Sequence, residues 1–402
     1  MYIFVGLLYS DNRRKHIINQ VKTPMQGAAN TYQWGLLKGL RENTQERVHI
    51  INSVPMGHFP RSSKVLKEKS CRETEDGICI DNIGYLNLPA IKQRQRTRGL
   101  YKRLCRIAKG EKEPITVVLY SLYNPYLKAL DRFKRRHPNV QYLVVVPDLP
   151  CEYGIESANK LKRWIGRRIG YRSLRLGGKA DGYILLTEQM NAVVNPNARP
   201  YQIIEGLAKE QEGLSSVSDA RKPVILYTGT LDRVFGMDTL MRAFLRLDEG
   251  SAELWIAGDG DMRAEIEKLS MQNENVKYFG YCSKEEVFDL QNQARILVNP
   301  RSGKGTYTQY SFPSKTLEYL SMGKPVAMNR LPGIPKEYGE HLFFFPEETA
   351  EGMAQTFRDI IQLSSEELNQ RRSKQLAFIT KQKSAVVQAR KILQLKEDFF
   401  KD

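Results

Sequence analysis

The sequence predicts an α/β protein with two doubly wound parallel sheets, and three observations support this prediction. The chain has 402 residues, a length that suits two domains better than one. Hydrophobic residues make up 41% of it, which is enough for two large cores. Short apolar runs alternate with helical patterns twice along the chain. Such alternation is typical of parallel sheets that are covered by helices on both faces.

The first half contains short apolar runs of the kind found in buried strands. They lie at residues 2–8, 48–51, 115–119, 142–146 and 182–186. Helical patterns occur between them at 27–40, 91–109, 125–136 and 160–176. Residues 56–80 are polar and charged, and we expect a long loop there. The helix at 91–109 carries Lys or Arg at nearly every other position, so we expect it to lie on the surface.

The second half repeats the pattern after a polar segment, 209–222, which is the predicted linker. Predicted strands lie at 224–227, 253–257, 276–279, 296–299, 325–328 and 342–345. Predicted helices lie at 237–245, 262–271, 284–292, 314–322 and 350–363, and the tail 365–399 is helical and charged. We therefore predict domains at 1–208 and 223–375, followed by a C-terminal helix at 376–402. Two facing domains of this kind predict an active site in the cleft between them.

The net excess of positive charge is confined to the first half. Residues 1–200 hold 35 Lys and Arg against 16 Asp and Glu, whereas the remainder holds 27 against 29. This asymmetry indicates an acidic partner for the first half, either an anionic membrane surface or a phosphate-bearing substrate, and a solvated surface is the alternative. The basic helix 160–179 contains Trp164 and Tyr171, which suits a membrane surface or a solvated face. The basic residues form no known RNA- or DNA-binding module, so nucleic-acid binding is not predicted.

Other classes of site and location find little support. The five cysteines and five histidines have no metal-ligand spacing, and we expect no metal and no cofactor. No apolar run approaches the roughly 20 residues of a membrane span. The apolar start lacks the features of a signal peptide, so we expect a cytoplasmic protein.

The most informative motif is Tyr310-Ser-Phe-Pro-Ser-Lys-Thr-Leu-Glu318, a turn between a strand and a helix. Pro313 suits the first turn of a helix, where free N–H groups attract anions, and Lys315 adds positive charge. Glu318 lies about one turn further on, where its carboxylate can accept hydrogen bonds from two vicinal hydroxyls of a ribose. An ordinary capped helix with a surface glutamate is the alternative.

Three weaker motifs also follow strands or open helices. Tyr227-Thr-Gly-Thr-Leu-Asp-Arg233 places Gly229 where backbone can approach a phosphate and adds Arg233 for a diphosphate. Ala257-Gly-Asp-Gly-Asp261 fits a turn better than a metal site. Gly27-Ala-Ala-Asn30 opens a helix with small residues that an anion could approach. Each of these is also compatible with a plain turn or helix start.

The order of these motifs resembles the retaining glycosyltransferases of the GT-B fold, family four, usually called the glycosyl transferases group 1. The resemblance extends from about Val224 to Leu342 and includes Leu297-Val-Asn-Pro-Arg301 and Gly323-Lys-Pro-Val. The later stretches look like the bacterial surface-polysaccharide branch. In the first half, Gln26-Gly-Ala-Ala-Asn and Val146-Pro-Asp-Leu-Pro also fit that branch.

The resemblance implies the site residues one by one. The implied catalytic residues are Asp148 and Glu318. Glu318 would hold the nucleotide ribose, and Asp148 occupies the position that follows a family histidine, which is Pro147 here. The implied donor-binding residues are Gly27, Gly229, Arg233, Gly258, Gly260, Tyr281, Tyr310, Ser314, Lys315, Thr316 and Glu318. Tyr310 replaces a family glutamate at the donor sugar. Thr230 and Phe235 replace a basic pair, for which Arg233 is the possible substitute.

The resemblance also implies what the protein does. It predicts transfer of a sugar, with retention, from a UDP- or GDP-sugar to a polyprenyl-diphosphate-linked or saccharide acceptor, in the synthesis of capsule, exopolysaccharide or O-antigen. The basic first half would face the anionic inner membrane, and the tail would cross back to the first domain. The alternatives are a catalytically silent scaffold and an epimerase or phosphorylase of the same fold.

Overall fold

The computed structural model describes residues 1–10, 13, 14, 27–60, 62, 64–150, 160–215 and 222–401. Its contacts divide the chain into two compact units. The first unit comprises Met1–Leu207 together with the residues from Ala385 onward, and the second comprises Ala208–Ser384. Residues 376–384, which the sequence assigns to the C-terminal helix, thus belong to the second unit. Part of the predicted linker, 216–221, lies outside the described residues.

The first unit is a parallel sheet flanked by helices. Its strands are Tyr2–Gly6 (β1), Val48–Asn52 (β2), Lys67–Glu68 (β3), Cys71–Glu75 (β4), Ile78–Asn82 (β5), Tyr85–Leu86 (β6), Thr116–Tyr120 (β7), Gln141–Val146 (β8), Gly182–Leu185 (β9) and Tyr201–Ile203 (β10). Its helices are Gly27–Asn43 (α1), Pro89–Ala108 (α2), Asn124–Lys134 (α3), Lys160–Gly177 (α4), Asn191–Val194 (α5) and, from the C-terminal tail, Ala385–Lys401, which is numbered last as α12.

The main sheet of the first unit has the strand order β10-β9-β8-β7-β1-β2-β5-β4. Its strands pair in parallel except β4, which runs antiparallel to β5. Strands β1, β7 and β8 are buried at every position, because helices cover both faces of the sheet. This explains why they appear in the sequence as unbroken apolar runs.

One expectation for the first half is wrong. The segment 56–80 is not only a loop, because it contains β3, β4 and the start of β5. Asp76 (φ 48°) and Gly77 (φ 69°) form a tight hairpin turn between β4 and β5. The charged composition concealed this hairpin, because β4 is an edge strand whose alternate residues face solvent.

Helix α12 packs within the first unit. Asn43 on α1 donates from Nδ2 to the carbonyl oxygen of Val386 at 2.7 Å. Gln141, at the start of β8, donates from Nε2 to the carbonyl oxygen of Leu395 at 2.8 Å. Lys391 donates to the carbonyl oxygen of Ile203 at 2.7 Å. The last helix of the chain therefore completes the first unit.

The second unit is a second parallel sheet with helices on both faces. Its strands are Val224–Thr230 (β11), Glu253–Asp259 (β12), Val276–Tyr278 (β13), Ile296–Asn299 (β14), Val326–Met328 (β15) and Phe343–Phe344 (β16). Its helices are Met237–Phe244 (α6), Arg263–Gln272 (α7), Lys284–Gln293 (α8), Ser314–Leu320 (α9), Ala350–Gln362 (α10) and Ser365–Phe378 (α11).

The strand order of the second sheet is β13-β12-β11-β14-β15-β16, and neighbouring strands pair in parallel. Alternate residues of β11 point to opposite faces. Ile225 and Tyr227 join one apolar core, and Val224 and Leu226 join the other. The predicted fold class, two Rossmann-like α/β units, is confirmed. In the described part of the chain, no helix is long and apolar enough to cross a membrane.

Candidate active site

The second sheet reverses its strand order between β11 and β14. These strands are neighbours, with Ile225 paired to Ile296 and Leu226 to Leu297, although β12 and β13 come between them in sequence. The chain leaves β11 and β14 toward opposite sides of the sheet. A crevice therefore forms beyond their carboxyl ends, and in open α/β sheets this is where ligands bind.

Two glycines lie side by side near the carboxyl ends of β11 and β12. Gly229 (φ 143°) and Gly258 (φ 144°) are paired in the register of β11 and β12. A Cβ atom on Gly258 would lie 1.7 Å from the carbonyl oxygen of Gly229, so only glycine fits there. One on Gly260 would lie 2.5 Å from Oδ1 of Asp232. Gly258 and Gly260 are thus explained by the close packing of two loops.

Lys315 reaches from α9 to the Gly229 loop. A Cβ atom on Gly229 would lie 2.7 Å from Nζ of Lys315. The same ammonium group lies 5.8 Å from the ring centroid of Tyr227 and 5.6 Å from that of Tyr319. The end of β11 and the helix after β14 therefore meet at one cationic group.

Glu318, one turn further along α9, is exposed and is held by a buried amide. Gln291 on α8 donates from Nε2 to Oε1 of Glu318 at 2.6 Å and lies 3.3 Å from Oγ1 of Thr228. The Tyr319 hydroxyl in turn accepts from the backbone N–H of Thr228 at 3.1 Å. One carboxylate oxygen of Glu318 is thereby fixed, and the group keeps further acceptor capacity toward solvent.

Part of the second unit matches a known protein family. Residues 222–363 match the family model of the glycosyl transferases group 1. A stretch of 122 residues is also 30% identical to an uncharacterised glycosyltransferase of Methanocaldococcus jannaschii, and it covers 29% of this chain and 30% of that protein.

Solved structures of other proteins share a fold with this chain over its whole length. Sucrose-phosphate synthase from Thermosynechococcus elongatus is 18% identical, with a TM-score of 0.64, and the match covers 100% of this chain and 99% of that one. The catalytic domain of starch synthase IV from Arabidopsis thaliana, bound to ADP and acarbose, is 10% identical with a TM-score of 0.62 and the same coverage. The chain therefore shares the GT-B fold of two Rossmann-like domains.

Within the second unit, Arg233 is engaged by acidic residues. Its guanidinium lies 3.4 Å from Oδ1 of Asp238 and 3.2 Å from Oε1 of Glu265, on the exposed surface. Its backbone N–H donates to Oδ1 of Asp261 at 3.0 Å. The carboxylate of Asp261 is thus engaged by the backbone of the segment after β11. No group of His, Cys, Asp and Glu in the described ranges could hold a metal ion.

The remaining donor-site candidates on α9 and its preceding turn differ in exposure. Tyr310 ends the 3-10 turn Thr306–Tyr310, and Ser314 is exposed at the start of α9. Thr316 is buried, its backbone N–H donates to the carbonyl oxygen of Pro313 at 2.9 Å, and its hydroxyl lies 3.8 Å from Sδ of Met328. The donors of Thr316 are therefore engaged inside the second unit, whereas Ser314 presents its side chain to solvent.

Tyr281 lies next to the sheet edge, beyond β13. It is 83% exposed, and the carbonyl oxygen of Gly280 accepts from the backbone N–H of Gly258 at 2.7 Å. The segment after β13 is thus linked to the end of β12. An exposed aromatic ring at the end of this row offers a stacking surface for a planar group.

Gly27 and Asp148 belong to the first unit. Gly27 opens α1, and a Cβ atom there would meet none of the described residues within 4 Å. Asp148 follows β8, and solvent reaches its side chain. The protein around it nevertheless limits the hydration of the carboxyl group and raises its pKa to about 6.

Three residues were missed or misplaced by the sequence reasoning. Gln291 carries no sequence signal, because only the packing of α8 brings it to Glu318. Arg301 follows β14 directly, and its position after a strand was a signal that could have identified it. Arg96 on α2 is buried, not on the surface as expected, and it donates to the Tyr123 hydroxyl at 3.0 Å and the Val54 carbonyl at 2.6 Å.

Proposed function

We propose that the protein transfers a sugar from a nucleotide-sugar donor to a lipid-linked or saccharide acceptor. The observation that carries the proposal is the meeting of Gly229, Lys315 and Glu318 where the second sheet reverses its strand order. A backbone turn, an ammonium group and an oriented carboxylate suit the phosphates and the ribose of one nucleotide. The family of residues 222–363 supports the same activity.

The proposed donor is a UDP- or GDP-sugar. The carboxylate of Glu318, held by Gln291, would accept hydrogen bonds from the two vicinal hydroxyls of the ribose. Lys315 would attract the diphosphate over Gly229, and Tyr281 would lie against the base. Gly27 and Asp148 are the proposed contributions of the first unit.

The proposed reaction proceeds with retention and needs no cofactor beyond the donor. The C1–O bond to the diphosphate breaks, and its electron pair goes to the leaving phosphate oxygen. The acceptor oxygen bonds to C1 and passes its proton to the leaving diphosphate. In this scheme the protein positions both substrates and stabilises the charge of the leaving group.

The acceptor side of the proposal rests on α4. This helix contains seven Lys and Arg and no Asp or Glu. It also exposes apolar side chains at helical spacing, namely Leu161 (64%), Trp164 (54%), Ile165 (44%) and Ile169 (51%). Apolar groups among basic ones suit the headgroup region of an anionic membrane. We therefore propose peripheral binding to the cytoplasmic membrane face, where polyprenyl-diphosphate acceptors for surface polysaccharides reside.

Ligand binding tests the donor proposal. Thermal shifts would be measured with UDP-, GDP-, ADP- and dTDP-sugars, followed by a transfer assay with the sugar that stabilises the protein most. Glu318→Ala should abolish transfer, and Glu285→Ala, on the exposed face of α8, should not. The proposal fails if none of these sugars stabilises the protein.

Vesicle flotation tests the membrane proposal. The protein should float with phosphatidylglycerol vesicles at low salt and detach at high salt, and phosphatidylcholine vesicles should not carry it. The pair Trp164→Ser and Ile169→Ser should weaken flotation. Met271→Ser, which removes an apolar side chain that is 86% exposed on the second unit, is the matched control. Equal flotation of both variants would contradict the proposal.

A catalytically silent scaffold is the second candidate. Tyr310 replaces the expected glutamate, and Arg233 is already paired with Asp238 and Glu265. A protein that binds nucleotide sugars but shows neither transfer nor donor hydrolysis with any acceptor would support this candidate.

A further inference from the structure

Arg301 lies at the carboxyl end of the second sheet, where Lys315 also lies, and it is the second residue after β14. Asn329, which follows β15, donates from Nδ2 to the carbonyl oxygens of Pro300 and Arg301, both at 3.0 Å. Asn329 is 2% exposed. The backbone of Arg301 is therefore fixed from a neighbouring strand, and its side chain starts at the carboxyl end of the sheet.

The guanidinium of Arg301 is flanked by two aromatic rings. Its central carbon lies 5.8 Å from the ring centroid of Phe235 and 5.1 Å from that of Tyr307. Phe235 belongs to the loop after β11, and Tyr307 belongs to the turn after β14. Stacking on aromatic faces restricts the orientation of a guanidinium and leaves its N–H edge for an anion.

Arg301 has no acidic partner among the residues that the structure describes. No carboxylate forms an ion pair with it there, and its Nε is buried without a hydrogen-bond acceptor. Arg233 differs, because two carboxylates surround it. A partly dehydrated guanidinium without a counter-ion is costly, and a negatively charged ligand would remove that cost.

The charges of Lys315 and Arg301 both affect the hydroxyl group of Tyr227. Both cations oppose the rise in the pKa of Tyr227 that burial causes, so both charges lie near its hydroxyl group. That hydroxyl donates to the carbonyl oxygen of Thr230 at 2.7 Å. Two cations, together with the carboxylate of Asp232, thus lie near the hydroxyl of Tyr227 at the end of β11.

We propose that Arg301, together with Lys315, binds the diphosphate of the nucleotide donor, the guanidinium holding phosphate oxygens through its planar N–H edge. This inference rests on the proposed function and adds a residue to it. It assigns the diphosphate contact to the loop after β14, and it leaves Arg233 to its ion pairs at the surface.

Matched ligands with and without the diphosphate test this role. The full-length protein and Arg301→Gln would be titrated calorimetrically with uridine, UMP and UDP, and with guanosine, GMP and GDP. The wild type should bind the diphosphate that matches its base more tightly than the nucleoside. Arg301→Gln should lose about tenfold to hundredfold in diphosphate affinity and nothing in nucleoside affinity, as expected for a lost charge-assisted contact.

Two further variants complete the experiment. Arg301→Lys keeps the charge but not the planar edge and should fall between wild type and Arg301→Gln. Arg371→Gln is the control, because Arg371 also stacks on a ring, 4.7 Å from the centroid of Phe343, but beside Gly323 and Pro325 before β15. It should bind the diphosphates like wild type.

The outcomes separate this inference from the function on which it rests. Equal diphosphate affinity in wild type and Arg301→Gln, with nucleotide binding intact, overturns the role of Arg301 alone. A wild type that binds none of the six ligands overturns the proposed donor and this inference with it. If Arg301→Gln does not fold, Arg301→Lys decides, and wild-type affinity in that variant overturns the need for a planar group.

Discussion

A Cβ atom on Gly229 would lie 2.7 Å from Nζ and 2.5 Å from Cε of Lys315, so the end of β11 and the side chain of Lys315 on α9 are in direct contact. Gly229 also has a φ of 143°, which residues other than glycine rarely adopt. This contact joins the two most informative motifs of the sequence, which are separated by the whole of β12, β13 and β14.

Gly229→Ala should therefore lower both stability and diphosphate affinity. The backbone strain predicts a loss of about 1–3 kcal/mol, and the displaced Lys315 predicts weaker binding of UDP or GDP. Chemical denaturation and calorimetric titration measure the two effects. Gly339→Ala is the control, since a Cβ atom there would lie more than 4 Å from every residue that the structure describes. Wild-type diphosphate affinity in Gly229→Ala would contradict the assigned role of this contact.

Gln291 is predicted to position Glu318. Gln291→Leu removes the 2.6 Å hydrogen bond to Oε1 of Glu318 and should raise the donor KM about tenfold, with a smaller change in kcat. Steady-state kinetics with varied donor measures this split. Tyr319→Phe removes the hydroxyl contact to Thr228 but leaves the Glu318 hydrogen bond, and it should spare the KM. A similar KM increase in both variants would indicate general loosening of the core.

Lys92 should make the first unit depend on pH. Burial and the neighbouring charge of Arg96 lower the pKa of Lys92 to about 7, and its ammonium lies 5.4 Å from the ring centroid of Tyr85. The unfolded chain holds this proton until about pH 10.4. The cost of the charged form is thus fully present below pH 7 and is relieved as the pH rises from there.

Lys92→Met should accordingly stabilise the protein at pH 6 and lose the rise in stability between pH 7 and 10. One proton limits this slope to about 1.4 kcal/mol per pH unit, and solvent screening reduces it. Urea unfolding at several pH values measures it. Lys102→Met, on the exposed face of the same helix, should retain the wild-type slope. Identical pH profiles for wild type and Lys92→Met would refute the prediction.

Asp148 should make the rate of the transfer reaction fall at acidic pH. Its pKa is raised to about 6 because the surrounding protein limits its hydration, so the ionised form is lost as the pH falls through 6. If ionised Asp148 assists the acceptor, kcat/KM should decline below pH 6 in the wild type. Asp148→Asn should lower the plateau and remove this decline. Asp76→Asn, at the tip of the β4–β5 hairpin, should leave the profile unchanged.

Local patterns predicted the α/β class because they depend on neighbouring residues. The buried strands β1, β7 and β8 are continuous apolar runs, and the helices between them follow a periodicity of 3.6 residues. The hairpin of β4 and β5 was missed for the same reason. Its charged edge strand resembles a loop in the sequence, and only its pairing with β5 makes it a strand.

The sequence by itself determined the alternation of strands and helices, the glycine turn at Gly229 and the position of Glu318 one turn into a helix. The tertiary structure decided which of these meet. Gln291 contacts Glu318 across 27 residues, and Thr228 contacts Tyr319 across 91. Arg301 gained Phe235 as a neighbour through the pairing of β11 with β14, whereas Tyr307 lies in its own loop. Such contacts depend on strand order, which non-local packing sets and local residue patterns do not encode.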